Sequence, residues 1–174
     1  IAVSLLGKIY GKENALLIIE TLGLCEPKLA KLQFTMEERG INTVQSTSAG
    51  RLFDAVSAIL DIRKSSTFEG EASTSLQFAA EKWLDAQKKK IAGSEDFAES
   101  GIIADYGELK SISDVAQKSV VEKNNSINRN IKADLYYLPT LSLVKELAER
   151  KLAGENSNQL ALHFHRRLAG MIVS

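Results

Sequence analysis

Apolar residues recur at intervals of three and four through residues 1–91, and glycines and prolines cut that pattern into helix-sized pieces. Residues 1–10 form a first piece that stops at Gly11, and residues 12–21 carry Ala15, Leu16, Ile18 and Ile19. Pro27 opens a helix that closes at Gly40, with proline at the first helical position and glycine just past the last. After a polar loop at 42–47, Ser48 stands where an N-cap is wanted. Ala49, Leu52, Phe53, Val56 and Leu60 follow at helical spacing, so one face of this helix is expected in the core. Residues 63–67 read as a loop, and residues 69–89 as a long helix with Ala72, Leu76, Ala79, Ala80 and Leu84 as its apolar stripe. Pro139 starts a further helix over residues 140–153, closed by Gly154, and Asn156 or Ser157 caps a last one running to the C-terminus.

The pattern changes at Ala92. Gly93, Ser94, Glu95 and Asp96 break the helix, and residues 102–109, 119–122 and 131–137 are short, alternating or β-rich, with polar turns between them. They predict a small antiparallel sheet, with 124–130 as an exposed excursion. The expected fold class is therefore mainly α with a small antiparallel β element (α+β). The expected organisation is one domain over residues 1–174, helical at 1–91, β-rich at 92–138 and helical at 139–174.

Composition narrows the function. The 22 basic and 22 acidic residues cancel, so no overall field draws the chain to nucleic acid or to an anionic membrane. Lys88, Lys89 and Lys90 form the only dense basic run, and at a helix end they read as solvated residues matched to the dipole. Cys25 is the only cysteine, which rules out an internal disulfide or a multi-cysteine zinc site and fits a reducing, cytoplasmic setting. Beside Leu22 and Leu24 it reads as a small buried hydrophobe. His163 and His165 are the only histidines; two apart on a helix they point about 200° from one another and cannot chelate one metal from one face. His165 is expected to be a partly buried packing residue with a hydrogen-bonded ring, and Trp83, Tyr136 and Tyr137 to be core or sheet-surface residues. No apolar run is long enough to span a bilayer. The chain begins at Ile1 rather than at a methionine and carries apolar segments at both ends, as expected of a piece of a longer polypeptide.

The chemistry is concentrated on the helix after Ser48. Gly50, Asp54 and Ser57 share a face distinct from the apolar one. A glycine one turn before a carboxylate lets a ligand approach the backbone while the carboxylate accepts hydrogen bonds from hydroxyls such as those of a ribose. Arg51 could instead be the i−3 ion-pair partner of Asp54, or meet a phosphate. The stretch 46–56, followed by Phe68, Glu69, Gly70, Glu71 and Ala72, closely resembles the SAGRLFDAV…YEGQA signature of HypF-type carbamoyltransferases, the hydrogenase maturation proteins. Weaker similarities run in the same order: an opening helix pair, Glu38-Arg39-Gly40, Ala133-Asp134-Leu135 with Pro139, and Ala161…Phe164-His165…Leu168-Ala169, similar to the family's A-x-x-F-H-x-x-L-A helix. More distantly, Gly50, Phe53, Asp54 and Gly70 resemble the corresponding segment of the TsaD family, which makes threonylcarbamoyl-adenosine in tRNA.

That resemblance implies the helical part of one lobe of a two-lobed ASKHA-type domain, with nucleotide bound between lobes. It implies that Gly50, Asp54, Gly70 and Glu71 bind nucleotide, with Arg51 as a phosphate contact or a structural partner. No catalytic residue and no metal ligand is expected within this chain; the parent's metal ion would lie outside it, since the family's H-x-x-x-H and its Gly-rich S-G-G-V segment have no counterpart here. The implied reaction takes carbamoyl phosphate and ATP to carbamoyl-adenylate, then moves the carbamoyl group to the C-terminal cysteine of the partner HypE, on the way to the cyanide ligands of nickel-iron hydrogenase. The chain alone is expected to be inactive. It departs from the family at Glu71, where glutamine is usual; a carboxylate there repels an anionic ligand unless it meets the ribose hydroxyls. Two alternatives stand beside this reading: a non-enzymatic helical docking module for a maturation partner, and a TsaD-like tRNA-modifying lobe. The second is disfavoured by the charge balance and by Arg51-Leu52 and Glu71-Ala72.

Overall fold

The computed structural model describes residues 1–44, 46–92 and 138–173. Among them the chain forms helices α1 (Ala2–Tyr10), α2 (Lys12–Thr21), α3 (Pro27–Glu38), α4 (Ala49–Ile59), α5 (Glu71–Ala92), α6 (Thr140–Leu152) and α7 (Ser157–Val173). No strand occurs among the described residues, which corrects the expected α+β class. Every described element buries an apolar stripe against other helices, so the core closes without a sheet. The stretches expected as strands, 102–109, 119–122 and 131–137, lie outside the described residues, as do Tyr136 and Tyr137. Contacts divide the chain into two units, Ile1–Lys88 with Leu138–Ser174, and Lys89–Tyr137. The second contributes only the last turn of α5 to the described structure; the packed core belongs to the first.

Helix boundaries reflect local chemistry. Pro27 opens α3 at a position whose N–H has no helical partner in any case. Asn156 caps α7, its Oδ1 accepting the amides of Asn158 at 2.9 Å and Gln159 at 3.4 Å. Ser48 occupies the N-cap position of α4, yet its hydroxyl makes no cap bond; its amide donates to Ser46 Oγ at 3.1 Å instead. The turn between α6 and α7 is pinned by Arg150, whose Nε and Nη2 fork onto both oxygens of Glu155 at 2.8 Å each.

Helix α1 lies at the centre of the packing, against α2, α3, α4 and α6, while α6 also packs on α4 and α7. Leu6, Ile19, Val56, Ile59, Leu60, Leu76, Leu143, Leu147, Leu160 and Phe164 are fully buried in one continuous core. Burying a side chain of this size is worth about 1.5–3 kcal/mol each. The C-terminal half of α4 is sunk in that core, with Ala55, Val56, Ser57 and Ile59 all buried, whereas its first turn is at the surface. Phe53 joins it to α7 through edge contacts with Phe164 and His165, at centroid distances of 5.0 and 5.7 Å.

Candidate functional site

The exposed first turn of α4 and the turn that enters α5 face one cavity of about 540 Å³. From α4 come Ser48, Gly50, Arg51 and Asp54; from the loop and the start of α5 come Ser66, Phe68, Glu69, Gly70 and Ser73. Three of the residues singled out for nucleotide binding, Gly50, Asp54 and Gly70, are thus brought to one surface although up to twenty positions apart. Arg51 is there too. Its Nη1 donates to Asp54 Oδ2 at 3.3 Å, across one helical turn, and its own side chain is exposed. The pair therefore exists, and it stands inside the cavity lining.

Gly70 is required by the backbone. Glu71 N–H donates to the Phe68 carbonyl at 3.4 Å, closing a turn in which Gly70 has φ +83°, a conformation that costs an L side chain about 1–2 kcal/mol. Ser73 Oγ ties the turn to α5 by donating to the Gly70 carbonyl at 2.8 Å. The N-terminal ends of both α4 and α5 border the cavity, and their positive dipole ends favour an anion. Asp54 and Glu69 supply acceptors beside them.

One residue expected to bind nucleotide lies elsewhere, and so does Ser57, which the sequence pattern places on the same helix face as Gly50 and Asp54. Glu71 is 6% exposed and does not line the cavity. Its Oε2 accepts from the Thr67 amide at 2.6 Å and from Thr67 Oγ1 at 3.1 Å, and its Oε1 pairs with Arg63 Nη2. Ser57, placed by periodicity on the face of Gly50 and Asp54, is fully buried, because α4 dives into the core beyond Asp54.

Ser66 and Ser73 line the cavity without any signal in the sequence, and Phe68 and Glu69, part of the family-like segment, line it although the resemblance gives them no role there. Phe68 carries the clearest signal, an aromatic in a polar loop, and it is 61% exposed at the cavity. Asp54 also borders a second cavity of about 270 Å³ that contains Cys25 and Lys64. Burial, and then the charge of Glu26, push the Cys25 thiol up from its ordinary value, which disfavours the thiolate. His165 is half-buried with Nδ1 at 2.8 Å from the Ala161 carbonyl, and His163 Nε2 meets Glu146 Oε1 at 2.6 Å; the two rings serve separate partners. Among the described residues no group of three or more His, Cys, Asp or Glu side chains is arranged to hold a metal, and no helix is long and apolar enough to cross a membrane.

Residues 1–120, which include the whole cavity lining, match the family model described as carbamoyltransferase, Kae1-like domain, second subdomain. The chain belongs to this family, the HypF-type carbamoyltransferases, and represents part of their C-terminal domain. No curated protein and no solved structure matches it.

Proposed function

We propose that this chain supplies one wall of the nucleotide site of a HypF-type carbamoyltransferase, acting in the cytoplasm on carbamoyl phosphate and ATP. The observation that carries the reading is the convergence of two helix N-termini, Arg51 and Asp54 on one cavity. A nucleotide presents phosphates, which suit helix N-termini and a guanidinium, and ribose hydroxyls, which suit a carboxylate. Gly50 and Gly70 leave the backbone approachable beside them. In the proposed reaction Asp54 does not change covalently. It holds the ribose of carbamoyl-adenylate so that the mixed anhydride is aimed at the thiolate of the HypE C-terminal cysteine. The sulfur then bonds to the carbamoyl carbon as the bond from that carbon to the phosphate oxygen breaks and AMP leaves. Holding the anhydride in line is a positioning contribution. The parent's metal ion and its catalytic groups are proposed to lie outside this chain.

The test is Asp54→Ala in the complete enzyme, assayed by thiocarboxamide formation on HypE. Loss of a charge-assisted hydrogen bond to the ribose costs about 2 kcal/mol, roughly thirtyfold in nucleotide affinity. The fold should be intact, since Asp54 is a cavity-edge carboxylate on a helix whose core face is untouched. Asp85→Ala, an exposed carboxylate on α5 outside the cavity lining, is the control and should be silent. Equal activity of the two variants would remove Asp54 from the site and leave it as the surface partner of Arg51.

A further inference from the structure

Both carboxylate oxygens of Glu71 are committed within the loop that precedes α5. The side chain is almost fully buried, takes two hydrogen bonds from Thr67 and pairs with Arg63. Arg63 is anchored at its other end, where its amide donates to the Ser57 carbonyl in the last turns of α4 at 3.3 Å. The chain of contacts Ser57–Arg63–Glu71–Thr67 therefore ties the end of α4 to the start of α5 and spans the loop that delivers Ser66, Phe68 and Gly70 to the cavity. Such a loop has no ladder of its own to order it, and fixing each residue costs about 1–2 kcal/mol, so a buried, fully partnered carboxylate is what can hold its shape.

We propose that Glu71 is a positioning residue for the nucleotide: with Arg63 it clamps the loop so that Phe68 and Gly70 form the cavity wall, and it does not touch the ligand. This rests on the reading of the cavity as a nucleotide site. It also gives the carboxylate at this position a chemical reason. A glutamine could still accept from Thr67, but its amide N–H₂ would oppose the guanidinium of Arg63, donor against donor.

The experiment uses the complete enzyme and its variants Glu71→Gln, Arg63→Met, Glu71→Gln/Arg63→Met and Asp54→Ala. Each is measured for KM of ATP and kcat in thiocarboxamide formation, and for amide hydrogen exchange in peptides covering residues 63–70. The expected result is about a tenfold rise in KM for Glu71→Gln and for Arg63→Met, with kcat little changed and faster exchange across 63–70. The double variant lacks the same single contact as each of the others, so its KM should rise no further than that of the more affected single variant, the non-additivity expected of two groups that act through one pair. If exchange accelerates while KM stays at the parent value, and Asp54→Ala does raise KM, the clamp has only a structural role and the proposal fails. A rise in KM for Glu71→Gln alone, without faster exchange and without an effect of Arg63→Met, would mean that Glu71 touches the ligand, which also overturns it. If neither Asp54→Ala nor Glu71→Gln moves KM, the nucleotide reading of the cavity falls, and the clamp proposal with it.

Discussion

Asp61 sits just past the last turn of α4 with φ +58°, and Ile62 N–H reaches back to the Ser57 carbonyl at 2.9 Å, the closing bond of a left-handed helix stop. Glycine is the usual residue there. Asp61→Ala should therefore unfold more readily than Asp61→Gly, by about 1 kcal/mol in urea denaturation, because the left-handed backbone penalises alanine. Lys64 Nζ donates to its carboxylate at 2.7 Å, and that hydrogen bond, opposed by slight burial and helped by the charge of Lys64, lowers the pKa of Asp61. A depressed folded pKa contributes stability that is present above the ordinary carboxylate value and disappears as pH falls through the folded one. The advantage of Asp61 over Asp61→Asn should thus be full near neutrality and disappear only as pH falls below the ordinary carboxylate value and through the depressed folded one, and at this exposed site it should be only a few tenths of a kcal/mol. None of this is visible in the sequence, since an aspartate in a polar loop gives no sign of its φ. Glu71 is a similar case. Its partner Arg63 lies across a loop whose path is set by tertiary contacts, so neither spacing nor residue type announces the pair.

At the scale of elements, the helices are legible because their ends are local events. Gly11, Pro27, Gly40, Pro139 and Gly154 each act within one turn of the chain, and the observed bounds match them. The expected sheet has no such warrant. Short period-two stretches show a capacity for pairing, and pairing depends on distant partners. Periodicity also gives the angle of a residue about a helix axis and not its depth along it, which is why Ser57 shares an angle with Gly50 and Asp54 although α4 carries it into the core. Depth matters equally where α1 crosses α3. A Cβ on Gly7 would stand 2.5 Å from Phe34 Cε1 and 3.1 Å from Cζ, and Phe34 is buried. Overpacking of this kind costs about 1–3 kcal/mol, against a gain in helix propensity of about 1 kcal/mol for alanine. Gly7→Ala should be net destabilising by about 1 kcal/mol in thermal unfolding. Pairing it with Phe34→Leu should cost less than the sum of the two single changes, a positive coupling that shows the ring to be the obstacle.

At the scale of the described unit, the cavity is a wall rather than an enclosure. Gly50, Arg51, Ser66, Phe68, Glu69 and Gly70 are all exposed along it, so water reaches most of the surface a ligand would cover. Small-molecule sites bury about 70–90% of their ligand, and charge-assisted contacts gain strength when water is excluded. A phosphate against Arg51 and two helix ends in open solvent is worth little by comparison: each helix terminus contributes about 0.3–1 kcal/mol when exposed and is screened by salt. The sum falls short of the roughly 8 kcal/mol that micromolar affinity requires. Calorimetric titration of this chain with ATP, without added metal, should therefore show no binding in the micromolar range, and whatever weak heat arises should fall as salt is raised. Micromolar affinity would mean that these two helix ends and the clamped loop suffice to hold the nucleotide, and that a facing lobe serves the transfer step rather than binding.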